Sequence, residues 1–338
     1  MQSTLLTCND RLLWDTWMSS CYFPALTVAD EIGLFAFLEQ TPATLEETAS
    51  KLALGIRGAE SLLGLMVSIG FLTQRNAAFY LTDTARTFLL PDSQYYWGGI
   101  LHLMKNLPVS HETVMNAIKN DASTFYSKND IWETHEIDSE QAKKFAQHMH
   151  SQTIAPATAA AQSAEFAGMT RLLDIGGGIG TFCLPLADKY PQMKFTIMEL
   201  SVVCKIANEF IITQGLNKQI DTVAMDFFKD PWPRDYDGII FSNIFHDWGK
   251  EKCEFFVRQS FDALEPGGKI FIHEILLNDG KDMPRVATAF SLILILMTQG
   301  KQYSAPELFQ MLSTAGFTDL KVINTYGYYS MVVGSKPK

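Results

Sequence analysis

The stretch RLLDIGGGIGTF, Arg171 to Phe182, decides the fold. Leu172, Leu173, Asp174 and Ile175 predict a buried parallel strand. Gly176, Gly177, Gly178 and Gly180 follow at once, and Thr181 to Lys189 predicts a helix. A backbone without Cβ turns sharply and lets a ligand approach closely. A glycine turn between strand and helix marks a nucleotide-type crevice in an open α/β sheet. Nicotinamide enzymes and many tight turns share the glycines, so the surrounding chain has to discriminate.

Downstream, apolar runs alternate with helical spacing. Strands are expected at 172–175, 195–198, 220–225, 238–242, 269–275, 321–325 and 330–334, and helices at 181–189, 201–214, 251–264 and 305–315. The central runs are nearly continuous, as in strands covered on both faces. Glu265-Pro266-Gly267-Gly268 reads as a turn into the fifth strand. The last two strands are joined by a few residues and should pair antiparallel. The pattern predicts an α/β, Rossmann-like, doubly wound sheet of seven strands.

Upstream, residues 1–98 read as a separate, mainly helical domain. Thr44-Leu45-Glu46-Glu47 resembles a capped helix start, Gly58 to Ile69 continues as a helix, and Phe71-Leu72-Thr73 with Phe79-Tyr80-Leu81 predicts a hairpin. Three helices and a hairpin make a winged-helix pattern, a frequent DNA reader. Here the helix before the hairpin carries Arg57 but otherwise lacks the Arg, Lys, Asn and Gln that read bases and phosphates. An interaction domain is the better expectation. Residues 99–168 read as a helical connector inside a second domain, 99–338, with a short helix around Ile131 and Trp132. Pro156 is expected to kink or restart its last helix.

Composition narrows the function. A net charge of −10 argues against nucleic acid or an anionic membrane as the main partner. Five dispersed cysteines without a CxxC pair read as reduced thiols of a cytoplasmic protein. The longest apolar run, Phe290 to Met297, is too short to span a bilayer and reads as a buried helix. The seven histidines form no ligand cluster, so no metal is expected.

Four positions fall at the ligand-binding carboxyl edge of the expected sheet. Glu199 ends the second strand, where an acid can accept hydrogen bonds from both ribose hydroxyls of an adenosine ligand. Asp226 ends the third, followed by Phe227; a carboxylate beside an apolar ring suits an adenine. His246 lies just beyond the fourth strand and can take a proton near neutral pH. Asp247 holds its tautomer or caps the following helix. Glu274, in the fifth strand, needs a buried partner, and His246 is the expected one. Alternation sends His273 to the opposite face, in a structural role.

Five segments then carry a likeness: LLDIGGGIGTF (172–182), DFFKDPWP (226–233), NIFHDWGKEKC (243–253), LEPGGKIFIHE (264–274) and GKQYSAPELFQMLSTAGF (300–317). In that order they resemble the S-adenosylmethionine-dependent O-methyltransferases of the plant caffeate and animal acetylserotonin type, with their bacterial relatives. The resemblance implies methyl transfer from S-adenosyl-L-methionine to a hydroxyl of a small aromatic metabolite, with a phenol the expected acceptor. It implies His246 as general base, flanked by Glu274 and Gln302. It implies Asp174, Gly176, Gly178, Glu199, Asp226, Phe227 and Ser242 at the cofactor. Phe145, Met149, His150, Ile293 and Met297 match acceptor-lining positions. It also implies a homodimer whose N-terminal helices help to close the partner's pocket. The chain departs from the pattern where a second flanking glutamate is Gln302, a lysine of plant members is Ser242, and the commoner ribose aspartate is Glu199. Some relatives of this fold bind the cofactor yet catalyse hydroxylation, decarboxylation or pericyclic steps, which stands as the alternative.

Overall fold

The computed structural model describes residues 8–107, 109–124 and 139–338, and the short helix expected around Ile131 and Trp132 lies outside them. The chain divides into two compact units, 1–107 and 108–338. The first unit extends past the expected boundary at 98 because helix Gly98–Met104 belongs to it.

The first unit holds helices Leu34–Gln40, Leu45–Lys51 and Ile56–Ser68, then a hairpin of β1 (Leu72–Arg75) and β2 (Ala78–Leu81). The Thr44 capping box forms as its sequence requires: the Thr44 N–H donates to Glu47 Oε2 at 2.8 Å, and the Glu47 N–H donates back to Thr44 Oγ1 at 3.4 Å. Asn76 and Ala77 both take positive φ, the condition for a two-residue hairpin turn that matches strand twist. Leu34, Phe35, Leu38, Leu63, Met66, Leu72 and Phe79 close the core between these elements. Helix Arg11–Ser19 buries no residue and leaves Leu12, Leu13, Trp14 and Trp17 exposed.

The second unit is built on β3 (Arg171–Ile175), β4 (Lys194–Glu199), β5 (Ile220–Ala224), β6 (Tyr236–Ser242), β7 (Leu264–Ile275), β8 (Thr318–Tyr326) and β9 (Tyr329–Ser335). Their order is β5-β4-β3-β6-β7-β9-β8, and β9 runs antiparallel to both neighbours. The chain winds one way from β3 to β5 and the other way from β6 to β7. The switch point therefore lies at the carboxyl ends of β3 and β6, where an open sheet leaves a crevice. Consecutive strand residues pack on opposite faces. Leu173, Ile239 and Ile270 meet one core with Phe241, Phe245 and Phe256. Leu172, Ile240 and Phe271 meet the other with Phe166, Phe182 and Leu186.

Four expectations need correction. Thr181 and Phe182 stay in the turn, and the helix starts at Cys183, because Gly176, Gly178 and Gly180 all take positive φ. The residues expected to turn before the fifth strand are drawn into β7: Gly267, at φ +83, donates its N–H to the Lys336 carbonyl, and Gly268 accepts from the Lys336 N–H. Pro156 does not break its helix, which runs from Ser139 to Ala160 with Pro156 buried. The apolar run near 290 forms helix Arg285–Met297, yet only Ala287, Leu294 and Leu296 are buried, since one stripe packs and the rest is half-buried or open.

Among the described residues Phe256 anchors the largest aromatic cluster, with Phe228, Phe227, Phe241 and Phe245 at ring separations of 5.2, 5.5, 5.6 and 5.9 Å. Phe256→Ala should lower unfolding free energy by about 3–5 kcal/mol, read from denaturant titration. A loss under about 1 kcal/mol would mean that the cluster relaxes into the cavity.

Candidate active site

The glycine turn is wrapped around a buried carboxylate. Asp174 is about 1% exposed, and its Oδ2 accepts the Cys183 thiol at 3.3 Å, while Oδ1 has no partner. Burial pushes its pKa up to about 7, opposed by the Cys183 hydrogen bond and helped by the charge of Glu199. Gly177 has to be glycine, because a Cβ there would lie 2.5 Å from the Asp174 carboxyl carbon. Gly176, at φ +66, leaves no room either: its Cβ would sit 2.6 Å from Ile244 Cδ1. Ile244 stands two residues before His246, so the glycine turn and the histidine loop touch.

Glu199 ends β4 half-buried. Its Oε1 accepts the Gly178 N–H at 3.2 Å and its Oε2 the Leu200 N–H at 2.8 Å. Burial raises its pKa to about 6 against those two hydrogen bonds. A Cβ on Gly178 would meet no atom within 4 Å, which leaves open space above the turn. Asp226 follows β5; burial works to raise its pKa, but Lys229 at 2.6 Å and the Phe228 N–H at 3.0 Å hold it below the usual range. The chain from β5 to β6 carries no helix. Pro231 and Pro233 interrupt it, and the Trp232 indole donates to the Phe227 carbonyl at 2.8 Å. Phe227 thereby joins the aromatic cluster beneath Trp248, 6.4 Å from ring to ring.

His246 is 4% exposed within the short turn Phe245–Asp247. Its Nδ1 lies 3.5 Å from Gln302 Nε2, its Nε2 lies 3.7 Å from Asp247 Oδ1, and Phe290 meets the ring edge-on at 5.3 Å. Burial drives its pKa down to about 3, so the imidazole is neutral. The expected pairing of Glu274 with this ring takes another form. Glu274 Oε1 accepts the backbone N–H of His246 at 3.1 Å, with the N–H groups of Ile244 and Phe245 turned toward the same carboxylate. The acid thus caps the turn that carries the histidine, and burial pushes its own pKa up to about 8.

The other expected positions separate into groups. Ser242 pairs with His273 Nδ1 at 3.3 Å, and His273 Nε2 meets Thr325 at 3.0 Å, on the sheet face away from His246, as alternation required of His273. His150 contacts Thr181 at 2.9 Å and Phe210 at a ring separation of 5.4 Å. This sets it beside the glycine turn. Phe145 and Met149 lie half-buried one turn apart on Ser139–Ala160. Ile293 and Met297 share the helical stripe of Phe290, the residue against His246.

Sequence reasoning missed Asn243 and Tyr329. Both amide atoms of Asn243 and the hydroxyl of Tyr329 are buried without a hydrogen-bond partner, as are Glu274 Oε2 and Gln302 Oε1. Asn243 could have been noticed three residues before His246. Nothing in the sequence brings Tyr329, at the start of β9, to the same edge.

A glycine cradle beside an acid-ended strand, with a buried histidine across the switch point, defines a nucleotide-cofactor enzyme of the open α/β class. Residues 112–318 match the O-methyltransferase domain model, and the chain belongs to that family. It is 31% identical to 3-hydroxy-5-methyl-1-naphthoate 3-O-methyltransferase of Streptomyces sahachiroi, over 98% of this chain and 95% of that one. It is 28% identical to acetylserotonin O-methyltransferase of Gallus gallus, over 91% and 92%. The fold superposes on human N-acetylserotonin methyltransferase in complex with S-adenosylmethionine with a TM-score of 0.83, at 24% identity and full coverage of both chains. The protein is an S-adenosylmethionine-dependent O-methyltransferase. Its own residues fit that cofactor: the orphaned Asp174 oxygen, the open space above Gly178 and the carboxylates at 199 and 226 face the requirements of an amino acid joined to an adenosine.

Proposed function

We propose that this enzyme methylates a phenolic hydroxyl of a small aromatic metabolite, with His246 as the general base. One observation carries the reading: a buried neutral imidazole stands beside the glycine turn, between Gln302 and Asp247, with the Phe290 stripe against it. When bound, S-adenosylmethionine supplies a methyl group activated by its sulfonium. The chain's task is then to hold oxygen and methyl carbon in line and to accept one proton. With the Gln302 amide turned so that Oε1 accepts from Nδ1–H, His246 Nε2 is left unprotonated to take it. An imidazole held this far below its ordinary pKa cannot fully deprotonate a phenol beforehand. The proton moves as the new O–C bond forms, and Asp247 offsets the charge that appears on the ring. The half-buried Phe290, Ile293 and Met297 suit an aromatic body, in keeping with relatives named for naphthoate, acetylserotonin and tetracenomycin chemistry. Incubation with a methyl-labelled donor and a panel of phenols tests the reaction. Label on the acceptor oxygen is expected; an acceptor that changes while label stays on the donor overturns it.

The cofactor roles follow the same geometry. Glu199 accepts from the ribose hydroxyls and Gly178 keeps the crevice open. Because burial raises Glu199 to about 6, the carboxylate is mostly neutral at pH 5 and mostly ionised at pH 7. Cofactor affinity should rise about tenfold across that interval, by the ionised fraction alone. Glu199→Gln should flatten the rise and weaken binding about tenfold at pH 7. Calorimetry reads both, and an unchanged pH dependence in the variant removes the role.

A second copy of this chain is the partner proposed for the first unit, which exposes Leu12, Leu13, Trp14 and Trp17 along one short helix. Sedimentation should give twice the chain mass, and Trp14→Glu with Trp17→Glu should shift it toward one chain. A wild-type monomer at micromolar concentration refutes the dimer. We assign the protein to the cytoplasm, where its five cysteines stay as free thiols.

A further inference from the structure

The base and its two flanking side chains do not account for every polar group at the carboxyl edge. Asn243 is 7% exposed, and neither its amide oxygen nor its amide nitrogen has a partner. It is held there in a left-handed conformation, φ +57, by its own N–H donating to the His273 carbonyl at 3.1 Å. Tyr329, also 7% exposed, starts β9 opposite Ile275, with its ring stacked on His273 at 5.0 Å. Its hydroxyl faces the amides of Asn243 and Gln152, near enough for both to favour its ionisation, and lies in the field of Glu274, yet it makes no well-formed hydrogen bond to any of them. Glu274 Oε2 is the fourth unsatisfied atom of the group. Ile275, Leu277 and Ala287 pack with Tyr329, and Phe290, the ring against His246, packs on that same cluster. Phe290 thus packs on both the base and the Tyr329 cluster, and Glu274 caps the histidine turn, so the unsatisfied atoms share the carboxyl edge with the base without touching its ring.

Buried polar atoms are nearly always paired, and leaving one unpaired is costly. Had these groups served the fold alone, small rotations would pair the Tyr329 hydroxyl with the Asn243 amide. The geometry points to a second polar subsite, made by Asn243, Tyr329 and Glu274 Oε2, that binds an uncharged donor–acceptor substituent of the methyl acceptor next to its reacting hydroxyl. A second hydroxyl or a carboxamide has that chemistry. A carboxylate does not: among the described residues no lysine or arginine pairs with Glu274, so no cation is at hand to offset a buried anion, and burial already drives Glu274 itself toward its neutral form. This deepens the proposed reaction and rests on it, because the subsite positions an acceptor whose other hydroxyl faces His246.

The test uses the whole enzyme with four probes that share one ring system: 2-naphthol, 2,3-dihydroxynaphthalene, 3-hydroxy-2-naphthamide and 3-hydroxy-2-naphthoate. Dissociation constants are measured in the presence of S-adenosylhomocysteine, and kcat/KM with the methyl donor. The diol and the amide should bind at least tenfold tighter than 2-naphthol, and the naphthoate no tighter. Tyr329→Phe, which removes only an oxygen, and Asn243→Gly, which tolerates the positive φ, should each cut the diol-to-naphthol ratio about tenfold, with the loss mainly in KM. Equal affinity for all four probes overturns the subsite, and so does a ratio unmoved by both variants. Preference for the naphthoate overturns the assignment of an uncharged ligand. A panel that binds as expected but accepts no label counts against the methyl-transfer reading and leaves the subsite standing, so the two failures are distinguishable.

Discussion

His246→Ala is expected to lower turnover by about 10²- to 10⁴-fold, the range of a positioned general base, while cofactor affinity stays within about twofold of wild type. The imidazole contacts Gln302, Asp247 and Phe290, and none of these belongs to the glycine turn. The nearest link to the cofactor side is Ile244, which packs at Gly176 through its own side chain and not through the ring. Removing the ring also empties a buried site, so the fold control is a denaturation curve. His246→Gln, which fills most of the volume without a basic nitrogen, should lose nearly as much activity as the alanine variant. Parallel single-turnover and calorimetric measurements decide the matter: an alanine variant with near-normal single-turnover rate excludes His246 as base, and one with lost cofactor binding shows that the ring supports the crevice instead.

Substituting the glycine turn should give the other large effect, and two positions separate its causes. Gly176 and Gly178 both take positive φ, so an added side chain strains either by about 1–2 kcal/mol. They differ in what the side chain meets. At Gly176 a Cβ runs into Ile244 at 2.6 Å; at Gly178 it enters open space. Gly178→Val should therefore fold with only the strain penalty and yet lose cofactor affinity by more than about 100-fold, since the open space is the crevice itself. Gly176→Val should lose stability as well as affinity, because the Ile244 side chain has to leave its buried position. Ile244→Ala in the Gly176→Val background should restore part of the stability. Equal stability losses at the two positions, or cofactor binding retained by Gly178→Val, contradict this division.

Much of the site was legible because it is local. The glycines, Glu199 at the end of the next strand, and His246 after the fourth strand each sit at a boundary that hydrophobic patterning locates, and strand ends on one edge of a parallel sheet converge by topology alone. Glu274 was legible as a buried acid but not in its role. Sequence spacing suggested an imidazole partner, and only the packed loop reveals that Oε1 caps the backbone of the histidine turn. His150 was legible as a neighbour of Met149, and only the folded chain brings it against Thr181 and Phe210 beside the glycine turn. Alternation along a helix gives a face, and the neighbour of that face is a tertiary fact.

The sequence by itself determined the seven-stranded α/β unit, the antiparallel closing pair and the strand ends that carry the cofactor acids. Those follow from periodicity, turn chemistry and chain direction, which depend on neighbours in sequence. The tertiary structure alone decided which buried polar atoms find partners. Asn243 and Tyr329 are 86 positions apart by their numbering and come to one edge only because β9 inserts antiparallel between β7 and β8. Pairing across such separations is settled by sheet order and side-chain packing, and no local pattern encodes it.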